Sequence, residues 1–347
     1  MTTLDTARAV TGGIDTHLDV NVAAALDPVG ALLGTASFEA SPAGHNDLTR
    51  WLGSFGSVAT VGVEGTGAYG AGIARHLRTL GVAVVEVDRP NRQARRRNGK
   101  SDTLDAIEAA RAALSGRARG QAKSRDGAVE ALRVLIVARR SAAQERAKSI
   151  VRMRHLGFTA PDELRGRLKG LPVARFVEEA ARLRPAASPD TVTTATKAAL
   201  RFMARRVQAL EAELAHLDDQ LAPLVEATAP ELLSLMGVGT LTAATLLVTA
   251  GDNPGRLRSE AAWAHLCGVA PIPATSGKMV ARHRLNSGGD RQANAALWRI
   301  VMVRLSCDPD TRAYMERRTK EGRSKREVIR SLKRYVAREV YRHLPHG

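Results

Sequence analysis

Eight apolar residues, Leu200, Met203, Val207, Leu210, Leu214, Leu217, Leu221 and Leu224, follow one another at spacings of 3-4-3-4-3-4-3. Only an α-helix lays such a series along one side, because a seven-residue repeat lies close to two helical turns. The spacing predicts one continuous helix from near Thr193, with a stripe that must find an apolar partner. An ordinary amphipathic helix in a bundle would satisfy it. A seam unbroken over about three heptads favours a helical hairpin or a dimerising coiled coil. Residues 126–156 supply a second long helical pattern, and Pro161, Pro172, Pro185 and Pro189 break the chain between the two. Residues 126–226 therefore read as a helical, coiled-coil spacer.

The chain before this spacer has a different period. Residues 11–26 alternate weakly around Ile14, Val20 and Val22, Asp27-Pro28-Val29-Gly30 is a turn, and 31–39 return as a strand. Ser41 can cap a helix over 42–54 with Leu48, Trp51 and Leu52 on one face. A buried strand at 58–63 runs into Glu64, a glycine-rich turn and a helix to about Leu80 follow, and 82–87 is another buried strand. Asp102 then opens a helix to about Leu114. A β-meander followed by alternating helix and strand predicts a mixed sheet with an antiparallel start for residues 1–125. Residues 227–347 read as mostly helical. In them Leu232–Met236, the turn Gly237-Val238-Gly239 and Thr240–Ala250 form either a helix-hairpin-helix, with backbone N–H groups free for phosphate, or a plain αα-hairpin. The fold class is thus α/β plus α.

Charge narrows the function. The chain of 347 residues carries a net charge of +17. From Arg89 to Arg125 there are 11 Lys and Arg against 3 Asp and Glu, and from Arg312 to Arg342 there are 12 against 4. Concentrated positive charge is the footprint of phosphate contact. No apolar run reaches the roughly 18 residues that cross a bilayer, and no signal peptide is apparent. The two cysteines, Cys267 and Cys307, have no metal-type spacing. A cytoplasmic protein that meets nucleic acid is expected. Aromatic residues make up only 3%, which disfavours base stacking as the main mode of binding and favours salt-sensitive contact with the backbone.

Within the basic region stand candidate metal ligands. Two-metal phosphoryl transfer needs several carboxylates that converge, and Mg²⁺ takes hard oxygen ligands. Asp15 lies in the first strand, Glu64 ends a later one, and Asp102 and Asp105 are three apart on a helix, so that both face one way. Arg92, Arg95, Arg96, Arg97 and Lys100 would hold nucleic acid beside them. The alternative for Asp102 and Asp105 is a salt-bridged helix. Asp19 and Asp27 suit turns and, with Glu86 and Asp88, are set aside.

These residues sit in segments that resemble one family. GIDTHLD, VGVEGTGAYG at 61–70 and NGKSDTLDA at 98–106 look like the DEDD-type insertion-sequence transposases (insertion-sequence family one-ten), relatives of the Piv-like DNA invertases. PELLSLMGVGTLTAATLL, AHLCGVAPIPATSGK and NSGGDRQANAALW resemble that family's second domain, so the resemblance covers nearly the whole chain. It implies an RNase H-like (RuvC-like) N-terminal domain with its four acids at Asp15, Glu64, Asp102 and Asp105. It also implies a C-terminal serine that attacks the DNA phosphate, at Ser276 in Thr275-Ser276-Gly277-Lys278, with Ser287 as the competing choice. Lys278, Arg282, Arg284 and Arg291 give that region its positive surroundings. The resemblance further implies a structured noncoding guide RNA.

Two other motifs mislead. GTGAYG at 65–70 satisfies the dinucleotide-binding pattern, with Glu86 and Asp88 about 20 residues on. A hairpin opening, a carboxylate directly before the loop and two basic segments all oppose that reading. Gly99-Lys100-Ser101 resembles the end of a phosphate-binding loop, but the required earlier glycine is Ala94.

The expectation is a DNA transposase or recombinase with Mg²⁺, or Mn²⁺ as a substitute, at the four acids and Ser276 as nucleophile. Its partners would be double-stranded DNA, the guide RNA and further copies of itself, as a dimer or tetramer joined through the heptad helix. The alternatives are a junction-resolving nuclease that uses water, or a nucleic-acid-binding scaffold without chemistry.

Overall fold

The alternating residues at the start of the chain pair into one sheet in the computed structural model, which describes residues 8–87, 101–118, 120–186, 191–253, 256–274 and 283–345. Its strands are β1 (Ala9–Thr16), β2 (Val20–Leu26), β3 (Leu32–Glu39), β4 (Ser57–Glu64), β5 (Ala83–Val87) and β6 (Gly120–Gln121). The spatial order is β3-β2-β1-β4-β5-β6. β1, β4 and β5 run parallel, while β2, β3 and β6 each pair antiparallel with a neighbour. The sheet is therefore mixed, with the antiparallel opening that the turns predict. The stretch 11–26 breaks into two strands at a tight turn, where the His17 N–H donates to the Val20 carbonyl at 3.0 Å. Asp27 makes the next turn by accepting from the N–H groups of Val29 and Ala31.

The two faces of the sheet bury different partners. Ile14, Ala23, Ala25, Val61 and Val63 pack with Leu48 and Leu52 of α1 (Pro42–Gly53) and Ile73 and Leu77 of α2 (Ala71–Thr79). Ser41 caps α1 by accepting from the Gly44 N–H at 3.2 Å. The opposite face lies under α3 (Asp102–Leu114), through Val22, Ala24, Ala106 and Ile107.

The chain divides into two compact units. The first runs up to Gly127 and is rejoined by Gly251–Arg256. Within it Asn253 accepts from the Ser124 N–H and donates to the Ala122 carbonyl, both at 2.8 Å.

The second unit is helical. α4 (Ala128–Phe158) and α7 (Val192–Thr228) are its long members, with α5 (Asp162–Leu168) and α6 (Val173–Arg182) between them. Arg139 pairs with Asp218 and Arg146 with Glu211, so α4 and α7 run antiparallel. Of the heptad positions, Leu200, Val207, Leu217 and Leu221 are buried, whereas Met203, Leu210, Leu214 and Leu224 are half-buried. The two ends of the seam enter separate cores. At one end Leu200, Ala204 and Val207 pack with Met153, Leu164, Phe176 and Val177. At the other, Leu221 and Val225 share a core with Leu132, Ile136 and the later helices. Those later helices are α8 (Pro230–Leu233), α9 (Thr240–Ala250), α10 (Glu260–Leu266), α11 (Arg291–Cys307), α12 (Pro309–Lys320) and α13 (Lys325–Arg342). The helix before the Gly237 turn is a single turn long. β7 (Ile272–Pro273) pairs antiparallel with β8 (His283–Arg284). Among the described residues no helix is long and apolar enough to cross a membrane.

Candidate functional site

The site begins with two glycines. A Cβ on Gly13 would stand 2.2 Å from the Ala106 carbonyl oxygen and the Ala110 nitrogen, and one on Gly62 would stand 2.4 Å from the Ala109 oxygen. α3 therefore lies backbone-close across β1 and β4, and only glycine at both positions allows it. Along a strand, residues two apart share a face. Asp15 and Glu64, two residues beyond these glycines, point toward the side that α3 covers.

The first turn of α3 supplies the other acids. Asp105 is 4% exposed and Asp15 is 7% exposed, whereas Asp102 is open to solvent. Burial holds the Asp15 carboxyl above its usual range; His17 opposes this, and the charges of Asp105 and then Asp102 add to it. Three of the four predicted acids thus act on one another. Glu64 joins them by register. Ile14 and Val63 are level in the parallel pair, and Asp15, one residue before the end of β1, and Glu64, the last of β4, follow them on neighbouring strands.

A residue that sequence reasoning passed over completes the cluster. His17 Nε2 lies 3.2 Å from an Asp15 carboxylate oxygen and 3.5 Å from one of Asp102. One ligand atom from each of Asp15, His17 and Asp102 falls within 4.8 Å of the others, a spacing that could hold a metal ion. The signal was present in Asp15-Thr16-His17, since two residues apart on an extended chain share a side.

The glycine-rich turn after Glu64 serves this geometry. Gly65 has φ +69° and its carbonyl accepts from the N–H groups of Ala68 and Gly70. Thr16 donates to the Glu64 carbonyl at 2.9 Å. Buried Thr66 donates to Glu86 at 2.5 Å. Glu86, the acid that a dinucleotide pattern would use for ribose, instead fastens the turn. Asp19 and Asp27 occupy the turns expected of them.

Arg92, Arg95, Arg96, Arg97, Lys100, Asp88, Ser276, Lys278 and Arg282 lie outside the described residues. Arg284 is exposed on β8 and Arg291 is exposed at the start of α11. Ser287 is exposed in the turn before α11. The rest of NSGGDRQANAALW is framework. Asp290 caps α11 by accepting from Gln292 and Ala293. Asn294 donates to the Cys267 and Gly268 carbonyls and accepts from Lys333 at 2.7 Å.

Comparison with known proteins agrees with both regions. A model of DEDD transposases of the IS110 type matches residues 12–156, and the transposase IS116/IS110/IS902 family model matches residues 229–316. The chain is similar to an uncharacterized 43.6 kDa protein of insertion element IS110 from Streptomyces coelicolor, at 31% identity over 38% of this chain and 33% of that protein. It is also similar to an uncharacterized 42 kDa protein of insertion element IS900 from Mycobacterium paratuberculosis, at 27% identity over 51% of this chain and 48% of that protein. The matched stretches thus span between a third and a half of these relatives' length. With the two family models covering 12–156 and 229–316, and the acids gathered at the strand ends under α3, the chain belongs to the IS110 family of transposases.

Proposed function

We propose that this protein is a DNA transposase that cleaves and rejoins strands at Asp15, Glu64, Asp102 and Asp105. One observation carries the reading: Asp15 and Asp105 are both buried at a sheet end where Glu64 and Asp102 also arrive. Like charges in a low-dielectric site repel, and such a set is stable as carboxylates only with a cation among them. Hard oxygen donors suit Mg²⁺, with Mn²⁺ as a substitute. The order of the first five strands, with the second antiparallel, fits an RNase H-like domain. A bound divalent ion would polarise a phosphate and stabilise charge on the oxygens that enter and leave. The four carboxylates would hold it, and His17 stands between two of them. The tight approach of α3 keeps the pair Asp102 and Asp105 aimed at Asp15 before substrate arrives.

Ser276 completes the reading as nucleophile. Its hydroxyl would attack the scissile phosphorus, displace a deoxyribose oxygen and leave a phosphoserine link that a second strand resolves. A structured guide RNA, double-stranded DNA and a dimer or tetramer built through the long helices belong to the same proposal. Arg284 and Arg291, with the cations of the segment before Asp102 and of the 275–282 stretch, would contact the backbone. A nuclease that uses water is the second reading, since the same four acids would serve water as the nucleophile.

Trapping separates the two. Ser276→Ala should abolish a covalent protein–DNA adduct while leaving the circular dichroism spectrum and DNA affinity unchanged; strand exchange at the normal rate by that variant would refute the serine. Ser287→Ala should leave the adduct in place. Binding should weaken steeply with salt, because each phosphate contact releases counterions.

A further inference from the structure

The cations in the middle of the chain remain unused by this reading. From Arg146 to Arg184 there are ten Lys and Arg against four Asp and Glu. Most of this stretch, from residue 157 on, falls between the two segments that match family models.

The end of α4, α5 and the start of α6 enclose a cavity of about 410 Å³ there. This is within the range of about 300–1,000 Å³ for small-ligand sites. Its floor is the ring of Phe176, which is 4% exposed. Gly157 makes the room, since a Cβ there would touch that ring at 3.3 Å. The chain turns at Gly170, with φ +77°, and leaves Lys169 on the rim. Arg154 and Arg165 are the other cations of the wall, and Phe158 completes it with a ring that is 68% exposed.

The chemistry of this wall is specific. A large apolar ring is held in water beside three cations, and among the described residues no acid lines the cavity. Asp162 pairs with Arg165 at 2.6 Å, but it is 89% exposed, so the pair screens little. Among the described residues no carboxylate pairs with Arg154 or Lys169. The Arg154 guanidinium lies 5.8 Å from the Phe176 centroid, where an aromatic face stabilises it without neutralising it. A purely apolar protein segment would strand these charges, and an inorganic anion would leave Phe158 unused. A nucleotide has both parts: a flat base for the ring and flanking phosphates for the cations.

We propose that this cavity takes one unstacked nucleotide of a single-stranded nucleic acid, with the base against Phe158 and its phosphates on Arg154, Arg165 and Lys169. The site does not depend on the carboxylate cluster, and it would let the helical region grip a loop or a displaced strand.

Fluorescence anisotropy on the full chain tests it, with a labelled 12-nucleotide single-stranded DNA and the matching duplex as probes. Phe158→Ala should weaken the single strand about tenfold and the duplex by less than twofold, and Phe158→Tyr should retain affinity. Arg154→Gln with Lys169→Gln should lower the slope of log affinity against log salt by about 1.4 for the single strand. Thermal melting checks that each variant is folded. An unchanged single-strand affinity in Phe158→Ala would overturn the proposal, as would an equal loss for both probes. So would an equal loss of affinity for heparin in that variant, because heparin offers anions without bases.

Discussion

The carboxylates at the sheet end and the cations around Phe158 both gather like charges, and they do so under opposite conditions. Asp15 and Asp105 are almost wholly shielded from water, and α3 is held against β1 so closely that Gly13 cannot carry a side chain. Their repulsion is little screened and is set against the packing of the fold itself. Arg165 and Lys169 point outward, where salt screens charges beyond roughly 8 Å. On the reading proposed above, burial would make the first cluster dependent on a bound cation. Exposure leaves the second able to accept a mobile polyanion and gives it little influence on stability.

The largest effect should come from the contact that enforces burial. Gly13→Ala is expected to lower unfolding free energy by about 3 kcal/mol, because neither the α3 backbone nor β1 can yield. Gly166→Ala, on α5 beside the cation pocket, meets nothing within 4 Å and should raise stability slightly. Urea unfolding of both variants measures the contrast, and similar costs would remove its basis.

Asp105→Asn should weaken Mn²⁺ binding by about 100-fold, read by calorimetry. His17→Ala should weaken Mn²⁺ by about tenfold and Mg²⁺ by less, since an imidazole nitrogen favours the softer ion. Equal losses for the two metals would show that His17 supports Asp15 and Asp102 without meeting the ion.

Asp15→Asn should raise stability in the absence of metal while it abolishes activity. The Asp15 carboxyl sits above its ordinary value in the folded chain, so the native state holds the extra proton. Stability from this group is greatest below its unfolded pKa and declines as pH rises through the folded one. The asparagine variant should lack that decline in metal-free thermal melts.

The smallest effect tests charge that is paired instead of gathered. Glu260 on α10 accepts from Arg334 on α13, and this partner holds its carboxyl below the ordinary range. Its contribution is present above the unfolded pKa and is lost as pH falls through the folded one. Glu260→Gln should cost about 1 kcal/mol in urea melts, given that both side chains remain about a quarter exposed.

Much of this was legible from local pattern. Strand and helix positions follow from periods of two and of 3.6, and from turn residues such as Asp27 and Gly237, because backbone hydrogen bonding and one-sided burial are decided over a few residues. Asp15, Glu64, Asp102 and Asp105 stood out through their place on those elements and the motifs around them. The sequence could not say which side chains meet across long separations. Nothing in Gly13 and Gly62 announces that α3 will pack on both. Glu86 looks like a ribose ligand until Thr66 folds onto it. The heptad seam left its partner open, between a helix of this chain and one of another copy. In the fold α7 lies along α4, with its two ends in different cores. The physical reason is the same in each case: apolar periodicity states that a face must be buried, and only the tertiary fold decides what buries it and which charges are carried inside with it.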